Sequence, residues 1–297
     1  MWPSDTCLDI GTLSARSAML PALYHYFRTP LPYAQTLALQ ERIHQIQLLQ
    51  RKTASHKDIL LLLQHRPVYT SGRRQTDEET REDRERLTAL GADFISSLRG
   101  GELTYHGPGQ IVGYPLLDLS RPSPSSTKPI SVRDYVCRLQ HGIEQHLLEA
   151  HGIRHSPSEH TGVFLDAHTK IGSIGVQVRH RLTTHGFAVN ITNEPLRWFN
   201  EIVACGLADV KAGSVESATG REGVDIHAEI PGLVSRFGNL LERDFQPLVP
   251  DNEGEIGELI LEVEEEALKL EEEDQKPAGS DSMWSWVAGA AALSMFE

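Results

Sequence analysis

The 297-residue sequence predicts an α+β fold. Two observations predict it: amphipathic helical patterns recur along the chain, and between them stand short apolar runs of strand length, the clearest being DILLLL at 58–63. Strands and helices are mixed without the strict β-α-β alternation of a doubly wound sheet. The chain is long enough to bury a sizeable core, and no internal repeat is evident.

The first helix is predicted over residues 33–52, where apolar side chains recur at helical spacing. The members of this stripe are Leu39, Ile43, Ile46 and Leu49. After the strand at 58–63, a charged segment from Thr76 is typical of a helix or an exposed loop, and DFISS at 93–97 is a second strand candidate. Residues 1–30 are expected to lie outside the core as a poorly ordered segment.

The segment from Leu98 to Leu119, LRGGELTYHGPGQIVGYPLLDL, is rich in glycine. Glycine allows positive φ and a close approach of the backbone to another group. The functional interpretation is a loop that wraps an extended ligand, and the alternative is an ordinary structural turn. The segment lacks the spacing of a phosphate-binding loop. A strand is expected to follow it, up to Leu119.

The second half of the predicted domain contains two more helices and three strands. Ser131 is a candidate helix cap, followed by an apolar stripe that ends near Gly152. The stripe comprises Val132, Val136, Leu139, Ile143 and Leu147. GVFLD at 162–166 and KIGSIGVQVRH at 170–180 predict a hairpin, and HGFAVNI at 185–191 predicts the strand that returns beside it. A helical turn at 195–202 precedes Cys205, and a final core helix is expected at 225–245, starting at Pro231 and Gly232.

The negative charge of the chain is concentrated in its last part. Residues 251–297 contribute −12 of the net −13, so the remainder is nearly neutral. Residues 249–297 are predicted to form an acidic, partly helical tail with an apolar end. Within it, apolar positions at helical spacing predict an amphipathic helix over 255–274, which either packs on the core or pairs with a partner. The apolar stretch at 283–296 is too short to cross a bilayer, and no apolar run of about 18 residues exists.

The three cysteines, Cys7, Cys137 and Cys205, indicate neither a disulfide framework nor a zinc cluster. This favours a reducing compartment, and Cys137 is expected to be a packing residue. The N-terminus is ambiguous as a targeting signal, because Arg16 and Arg28 suit a mitochondrial presequence whereas acidic residues at 5 and 9 do not.

Cys205, between small residues, and Lys170 form a candidate nucleophile and activator. A thiol attacks as its thiolate, and a nearby ammonium group stabilises that anion by about 1–3 pKa units. The ordinary interpretations are a buried apolar cysteine and a solvated lysine. Only a fold that brings distant strands together would let the two meet, and His185 is an alternative base.

The segments RGGELTYHGPGQIVGYPLLDL, KIGSIGVQVR, THGFAVNI and ACGL together resemble the octanoyltransferase family, also called lipoyl(octanoyl) transferase. The resemblance covers roughly residues 33–245. It implies a mixed β-sheet flanked by helices, as in the lipoate and biotin protein ligase catalytic domain, within residues 31–248. It also implies transfer of an octanoyl group from acyl carrier protein to a lysine of a lipoyl domain through an enzyme thioester, with no cofactor.

By this resemblance Cys205 is the acyl-thioester nucleophile and Lys170 lowers its pKa and shuttles protons. The residues implied to hold the acyl chain are Arg99, Gly100, Gly101, Glu102, Leu103, Thr104, Tyr105, His106, Ser173, Ile174, Gly175, Gly186, Phe187 and Ala188. His106 and backbone N–H groups are a further hypothesis for stabilising the tetrahedral oxyanion. The chain departs from the family at Ala204, Arg66 and Phe164, which puts loop rigidity in doubt rather than activity.

The implied partners are acyl carrier protein as donor and, as acceptors, lipoyl domains of 2-oxoacid dehydrogenases and the glycine cleavage H protein. No nucleic acid or transmembrane segment is expected. Candidate docking charges for the acidic donor are Arg73 with Arg74, or Arg179 with Arg181. Alternatives are an ATP-dependent lipoate or biotin ligase, a catalytically silent acyl-chain binder, and a thiol hydrolase. Eukaryotic members work in mitochondria, so a mitochondrial location is expected, with the cytoplasm as the alternative.

Overall fold

The computed structural model describes residues 20–121, 128–203, 206 and 209–275. Its strands in chain order are β1 (Leu20–Tyr26), β2 (Asp58–Leu63), β3 (Val68–Ser71), β4 (Asp93–Ser96), β5 (Thr104–His106), β6 (Gln110–Leu116), β7 (Val163–Asp166), β8 (Thr169–Arg179), β9 (Leu182–Asn190), β10 (Lys211–Ala212) and β11 (Arg243–Pro247). Its helices are α1 (Tyr33–Gln50), α2 (Arg81–Ala89), α3 (Val132–His151), α4 (Glu194–Phe199), α5 (Val215–Thr219), α6 (Ile226–Leu241) and α7 (Glu255–Asp274).

An eight-stranded mixed sheet forms the centre of the fold. Its strand order is β10-β8-β9-β6-β2-β1-β11, with β7 paired to β8. The pairs of β1 with β2 and with β11 are parallel, whereas β2, β6, β9 and β8 run antiparallel to their successive neighbours. A second, three-stranded sheet has the order β4-β3-β5.

Helices cover both faces of the large sheet. One apolar cluster joins the sheet to α3 and α6 through side chains such as Ile143 and Phe237, and another joins the opposite face to α1 and α7 through Ile43 and Ile260. A smaller cluster around Tyr69, Tyr105 and Phe199 packs the three-stranded sheet against α4. The predicted α+β class with a mixed sheet and flanking helices is therefore confirmed.

Several element predictions are confirmed in detail. The buried strand at 58–63 has all six residues buried. The hairpin of β7 and β8 and the returning β9 form in the predicted order. The Ser131 hydroxyl accepts a hydrogen bond from the Asp134 N–H at 3.0 Å and caps α3, which ends at Gly152 with φ of 69°. Among the described residues, no helix combines the length and the hydropathy needed to span a membrane.

The expectation that residues 1–30 lie outside the core is wrong for residues 20–30. β1 lies between β2 and β11, and Ala22 and Phe27 are buried. Both neighbours of β1 are remote in sequence, so the local pattern does not reveal the pairing. Pro21 is tolerated because it stands near the beginning of the strand. Residues 1–19 lie outside the described part.

The predicted start and end of α6 are also wrong. The Asp225 carboxylate accepts from the His227 N–H at 2.9 Å, so the helix begins at Ile226 and includes Pro231, at the loss of one backbone hydrogen bond. The helix ends at Leu241; Glu242 caps it with φ of 56°, and Arg243 then begins β11.

The predictions for two helix-stripe residues and for the cysteines are wrong as well. Leu49 and Val132 are exposed, because the buried stripes of α1 and α3 do not reach these ends of the helices. Cys137 is disulfide-bonded, whereas the number and spacing of the cysteines indicated no disulfide framework. The apolar stretch at 283–296 lies outside the described residues.

Candidate active site

The glycine-rich loop after β4 lies directly on β8. The Gly100 N–H donates to the Val176 carbonyl at 2.9 Å, and a Cβ atom added to Gly175 would lie 2.8 Å from the Gly100 carbonyl oxygen. A real Cβ atom would not come so near to an oxygen, so the absence of a side chain at Gly175 permits the loop to approach the strand. The loop and β8 therefore form two adjoining walls.

Arg99 fixes the conformation of this loop from inside. Its buried guanidinium donates to the Thr70 carbonyl at 2.5 Å, to the Thr70 hydroxyl at 2.8 Å and to the Glu102 carbonyl at 2.9 Å. These bonds tie the loop to β3. Arg99 thus contributes to the site mainly by holding the backbone of the glycine-rich loop in place.

A cavity lies between this loop and the strands β8, β9 and β6. Its walls include most of the residues that the resemblance implied for acyl binding. These are Arg99, Gly100, Gly101, Thr104, His106, Ser173, Ile174, Gly175, Gly186, Phe187 and Ala188. The three sequence segments of the prediction, at 99–106, 173–175 and 186–188, thus line one cavity.

Glu102, Leu103 and Tyr105 do not line this cavity. Glu102 and Leu103 face a neighbouring surface cleft, together with Val203 and Gly206. The Tyr105 ring stacks on Trp198 with centroids 5.4 Å apart, in the cluster around the small sheet. Residues 104 and 106 point to the cavity and residue 105 points away, as the alternation of a strand requires.

Sequence reasoning did not assign Tyr33, Val112 and Tyr114 to the site, and it named His185 only as a base; all four line the cavity. Val112 and Tyr114 share one face of β6, so the period of two would have found them once β6 was known to border the site. No local sequence pattern identifies Tyr33 as a site residue, because it is the first residue of α1 and reaches the cavity through the packing of that helix.

Polar groups in the inner wall of the cavity, and His65 directly behind that wall, remain uncharged. His65 Nδ1 donates to the Leu31 carbonyl at 3.1 Å, so its Nε2 accepts from the Tyr114 hydroxyl at 2.6 Å. Burial lowers the pKa of His65 to about 4 and that of His185 to about 3. Both imidazoles are therefore neutral near pH 7, which suits an apolar ligand.

The hydrogen bonds around His106 do not support its hypothetical role as an oxyanion donor. Gln110 uses its amide N–H groups on the Tyr105 carbonyl and on Asn190, so its Oε1 accepts from His106 Nδ1 at 2.7 Å. Burial also lowers the pKa of His106 well below its usual value. A neutral His106 protonated at Nδ1 has no Nε2–H to give to an oxyanion.

Lys170 stands at the beginning of β8, enclosed by the start of β7. Its Nζ donates to the Thr161 carbonyl at 2.9 Å and lies 5.4 Å from the centre of the Phe164 ring. Gly162, with φ of 125°, allows this approach, since a Cβ atom there would lie 3.0 Å from Nζ. Phe164, one of the departures from the family, therefore provides an aromatic face for the amine.

Cys205 lies outside the described residues, but the chain on either side of it is described. Gly206 lies against the Glu102 carboxylate of the glycine-rich loop. Farther along, β10 pairs with the beginning of β8, with Ala212 opposite Lys170 and the Gly213 N–H donating to the Lys170 carbonyl at 2.8 Å. The fold thus brings described residues that follow Cys205 back to both predicted site elements, Gly206 to the glycine-rich loop and Ala212 to Lys170.

Comparison with known sequences identifies relatives over most of the chain. The family profile described as the lipoyl protein ligase A/B catalytic domain matches residues 32–237. An octanoyltransferase of Caldicellulosiruptor saccharolyticus is 34% identical over 232 residues, 77% of this chain and 93% of that protein. The mitochondrial octanoyl-acyl-carrier-protein:protein N-octanoyltransferase of Danio rerio is 37% identical over 207 residues, 70% of this chain and 87% of that protein.

Solved structures that share the fold include lipoate ligases. A bipartite lipoate protein ligase from Thermoplasma acidophilum superposes with a TM-score of 0.57 at 14% identity, over 83% of this chain and 92% of that one. A lipoate-protein ligase A bound with ATP gives a TM-score of 0.57 at 17% identity, over 83% and 94% of the two chains. At these identities the likeness establishes the fold alone.

Proposed function

Because the chain belongs to the octanoyltransferase family, within the lipoyl protein ligase A/B catalytic-domain fold, we propose that it moves an octanoyl group from acyl carrier protein to a lysine of lipoyl domains through a thioester on Cys205. Acceptors would be the lipoyl domains of 2-oxoacid dehydrogenases and the glycine cleavage H protein. This is the first step of protein lipoylation by an endogenously made chain.

Two acyl transfers on one sulfur account for the reaction. The Cys205 thiolate attacks the thioester carbonyl of the octanoyl donor, and the carbon–sulfur bond to the carrier breaks as the carrier thiol leaves. The acceptor lysine amine then attacks the enzyme thioester, and an amide forms as the Cys205 thiolate leaves again. A thiolate suits both steps, being a good nucleophile and a good leaving group.

Lys170 is the proposed activator of Cys205. Its positive charge would favour the thiolate. In the first transfer the ammonium would give a proton to the departing carrier thiolate, and in the second the resulting neutral amine would take the proton that the acceptor lysine loses. The observation that carries this proposal is the pairing of β10 with β8, which places Ala212 beside Lys170 only seven residues after the cysteine. This pairing supports the proposal that Lys170 and Cys205, 35 positions apart in the sequence, meet in the folded protein.

The proposed acyl site is the cavity between the glycine-rich loop and β8. Its neutral imidazoles and its apolar residues Ile174, Phe187 and Ala188 suit a straight alkyl chain, for which burial contributes up to about 0.8 kcal/mol per methylene. The donor is already activated as a thioester, so the reaction needs no nucleotide.

Intact-mass analysis tests the proposal. The full-length protein is mixed with octanoyl-acyl carrier protein in the absence of ATP. We expect a hydroxylamine-sensitive octanoyl adduct on the wild type and none on Cys205→Ser. A Lys170→Ala variant should form the adduct at least tenfold more slowly at neutral pH. Adduct formation on Cys205→Ser, or lipoyl-domain modification that requires free octanoate and ATP, would contradict the proposal and favour an adenylating ligase.

We also propose a mitochondrial location, in which the chain would serve the lipoyl domains of that compartment. The zebrafish relative is described as mitochondrial, whereas the Caldicellulosiruptor relative is bacterial. Fractionation of cells that express the full chain with a C-terminal tag would test it, because a purely cytoplasmic signal would exclude this location.

A further inference from the structure

A second cluster of chemically reactive side chains lies where α3 ends and α6 begins. His146 and His151 belong to the last turns of α3, and Glu229 belongs to the first turns of α6. They border a solvent-open cleft of about 390 Å³ that shares no residue with the acyl cavity. Nothing in the proposed acyl transfer uses them.

The three side chains converge on one point. Nε2 of His146 lies 2.8 Å from Glu229 Oε2, and Nε2 of His151 lies 3.0 Å from the same oxygen. All three potential ligand atoms lie within 4.8 Å of one another. The two imidazole rings are nearly perpendicular, with centroids 5.6 Å apart.

Hydrogen bonding accounts for only part of this arrangement. His151 Nε2 makes a hydrogen bond of good geometry with Glu229. His146 Nε2 does not, although the residue is only 1% exposed and the oxygen is near, because the oxygen lies away from the direction in which an N–H would point. A buried imidazole nitrogen without a directed partner is uncommon and indicates that the cluster holds something else.

The donor set is that of a zinc-type site. Two imidazole nitrogens and a carboxylate oxygen, with a fourth position open to solvent, are common ligands of zinc. Tetrahedral bonds of about 2.0–2.1 Å separate ligand atoms by about 3.3 Å. The present nitrogen–oxygen distances are a few tenths of an ångström shorter, so small side-chain rotations would open the space for an ion.

Arg236 is the charged group that opposes a cation here. Its Nη1 lies 3.5 Å from His146 Nδ1, at the limit of a hydrogen bond, while its Nε donates to Glu149 at 2.9 Å. Glu149 already offsets the positive charge of Arg236. A metal at Nε2 would place the proton of His146 on Nδ1, so the guanidinium would move toward Glu149 and the open cleft.

We propose that His146, His151 and Glu229 bind a divalent transition-metal ion of zinc type, with water as the fourth ligand. The ion clamps the end of α3 to the start of α6. Both helices cover the same face of the central sheet, so the clamp stabilises the fold without taking part in acyl transfer.

Zinc binding to the full-length protein tests this site. The protein is stripped with a chelator under reducing conditions, and Zn²⁺ is titrated against a chromophoric competitor. We expect one tightly bound ion per chain and a higher unfolding temperature in its presence. Glu229→Gln and His151→Ala should weaken binding at least tenfold. His155→Ala is the matched control, since this exposed histidine lies near the same helix end but outside the cluster, and it should bind as the wild type does.

X-ray absorption at the zinc edge separates this site from binding to cysteine. Nitrogen and oxygen neighbours at about 2.0–2.1 Å are expected, whereas sulfur at about 2.3 Å would assign the ion to thiolates and overturn the proposal. Absence of binding, or equal affinity in all three variants, would overturn it too. Circular dichroism of each stripped variant shows that a lost site is not a lost fold.

Discussion

At the scale of single residues, the acyl cavity depends on keeping its histidines neutral. His106 and His185 line the cavity near the Arg99 guanidinium, and His65 is buried directly behind them. Burial is the largest cause of the lowered pKa of each, and neighbouring positive charge adds to it at His106 and His185. A charged imidazole here would attract water into a site built for an alkyl chain.

We predict that His65 makes the stability of the fold depend on pH. Its pKa is about 4 in the folded state and about 6.5 in the unfolded state. The unfolded chain therefore binds a proton between these values that the folded chain does not. The stabilisation is fully present above pH 6.5 and is lost as the pH falls toward 4, by about 3 kcal/mol from this residue.

Urea unfolding of the wild type and His65→Asn between pH 7.5 and 4 measures this effect. Asparagine can still donate to the Leu31 carbonyl but does not titrate in this range. The free energy of unfolding of the variant should fall less steeply on acidification than that of the wild type. Parallel curves for the two proteins would show that His65 is not responsible.

Local sequence patterns predicted much of the cavity but not its polar inner wall. Residues 99–106, 173–175 and 186–188 belong to segments distinctive enough to carry a family resemblance, and most of them line the cavity. Tyr33 and Tyr114 reach it from elements whose own patterns indicate only helix or strand. Their role arises from tertiary packing, which local sequence does not encode.

At the scale of secondary-structure elements, those with a strong periodic pattern could be predicted from the sequence. Strands defined by pairing with remote parts of the chain could not. The buried strand β2, the β8–β9 hairpin and the capped helix α3 each have an uninterrupted pattern or a turn signal. β1 and β11 do not, because they are defined by parallel pairing with each other across more than 200 residues. Such pairs depend on the whole fold.

The acidic helix α7 is a structural part of the domain. Ile256, Ile260 and Ala267 are buried in the cluster that contains α1. Polar contacts lie along the same interface, including Gln35 with Glu266 at 2.7 Å and His25 with Glu264 at 2.9 Å. The division between a catalytic domain at 31–248 and a tail at 249–297 therefore does not match the packing up to residue 275.

We predict that Ile260→Ala destabilises the whole domain. The side chain is fully buried, so its truncation leaves a cavity between α7 and α1 and should cost about 2–5 kcal/mol. The adjacent Leu261 is 45% exposed, and Leu261→Ala should change stability by less than about 0.5 kcal/mol. Chemical denaturation of both variants checks this, and equal effects would mean that α7 does not pack as described.

At the scale of the whole molecule, the distribution of charge bears on how an acidic carrier protein docks. The chain before residue 251 is nearly neutral, so a docking face must be a local cluster of basic side chains. Arg179 is held by Glu41 through hydrogen bonds of 3.2 and 2.6 Å, which offsets its charge. Arg74 is exposed, 3.8 Å from the Glu102 carboxylate against which Gly206 lies. Of the two candidate pairs, Arg73 with Arg74 is therefore the one next to the segment that contains Cys205.

We predict that reversing Arg73 and Arg74 to glutamate raises the Michaelis constant for octanoyl-acyl carrier protein about tenfold at low salt and leaves kcat nearly unchanged. The reason is that charges at the rim of an interface mainly speed encounter, and added salt screens them. The difference from the wild type should accordingly shrink as the ionic strength rises. Reversal of Arg179 and Arg181 is the matched control, with the same change in net charge at the far end of β8. The carrier docks at the β8–β9 turn if that control raises the Michaelis constant and the reversal of Arg73 and Arg74 does not. In that case the thioester must reach the cavity from that end.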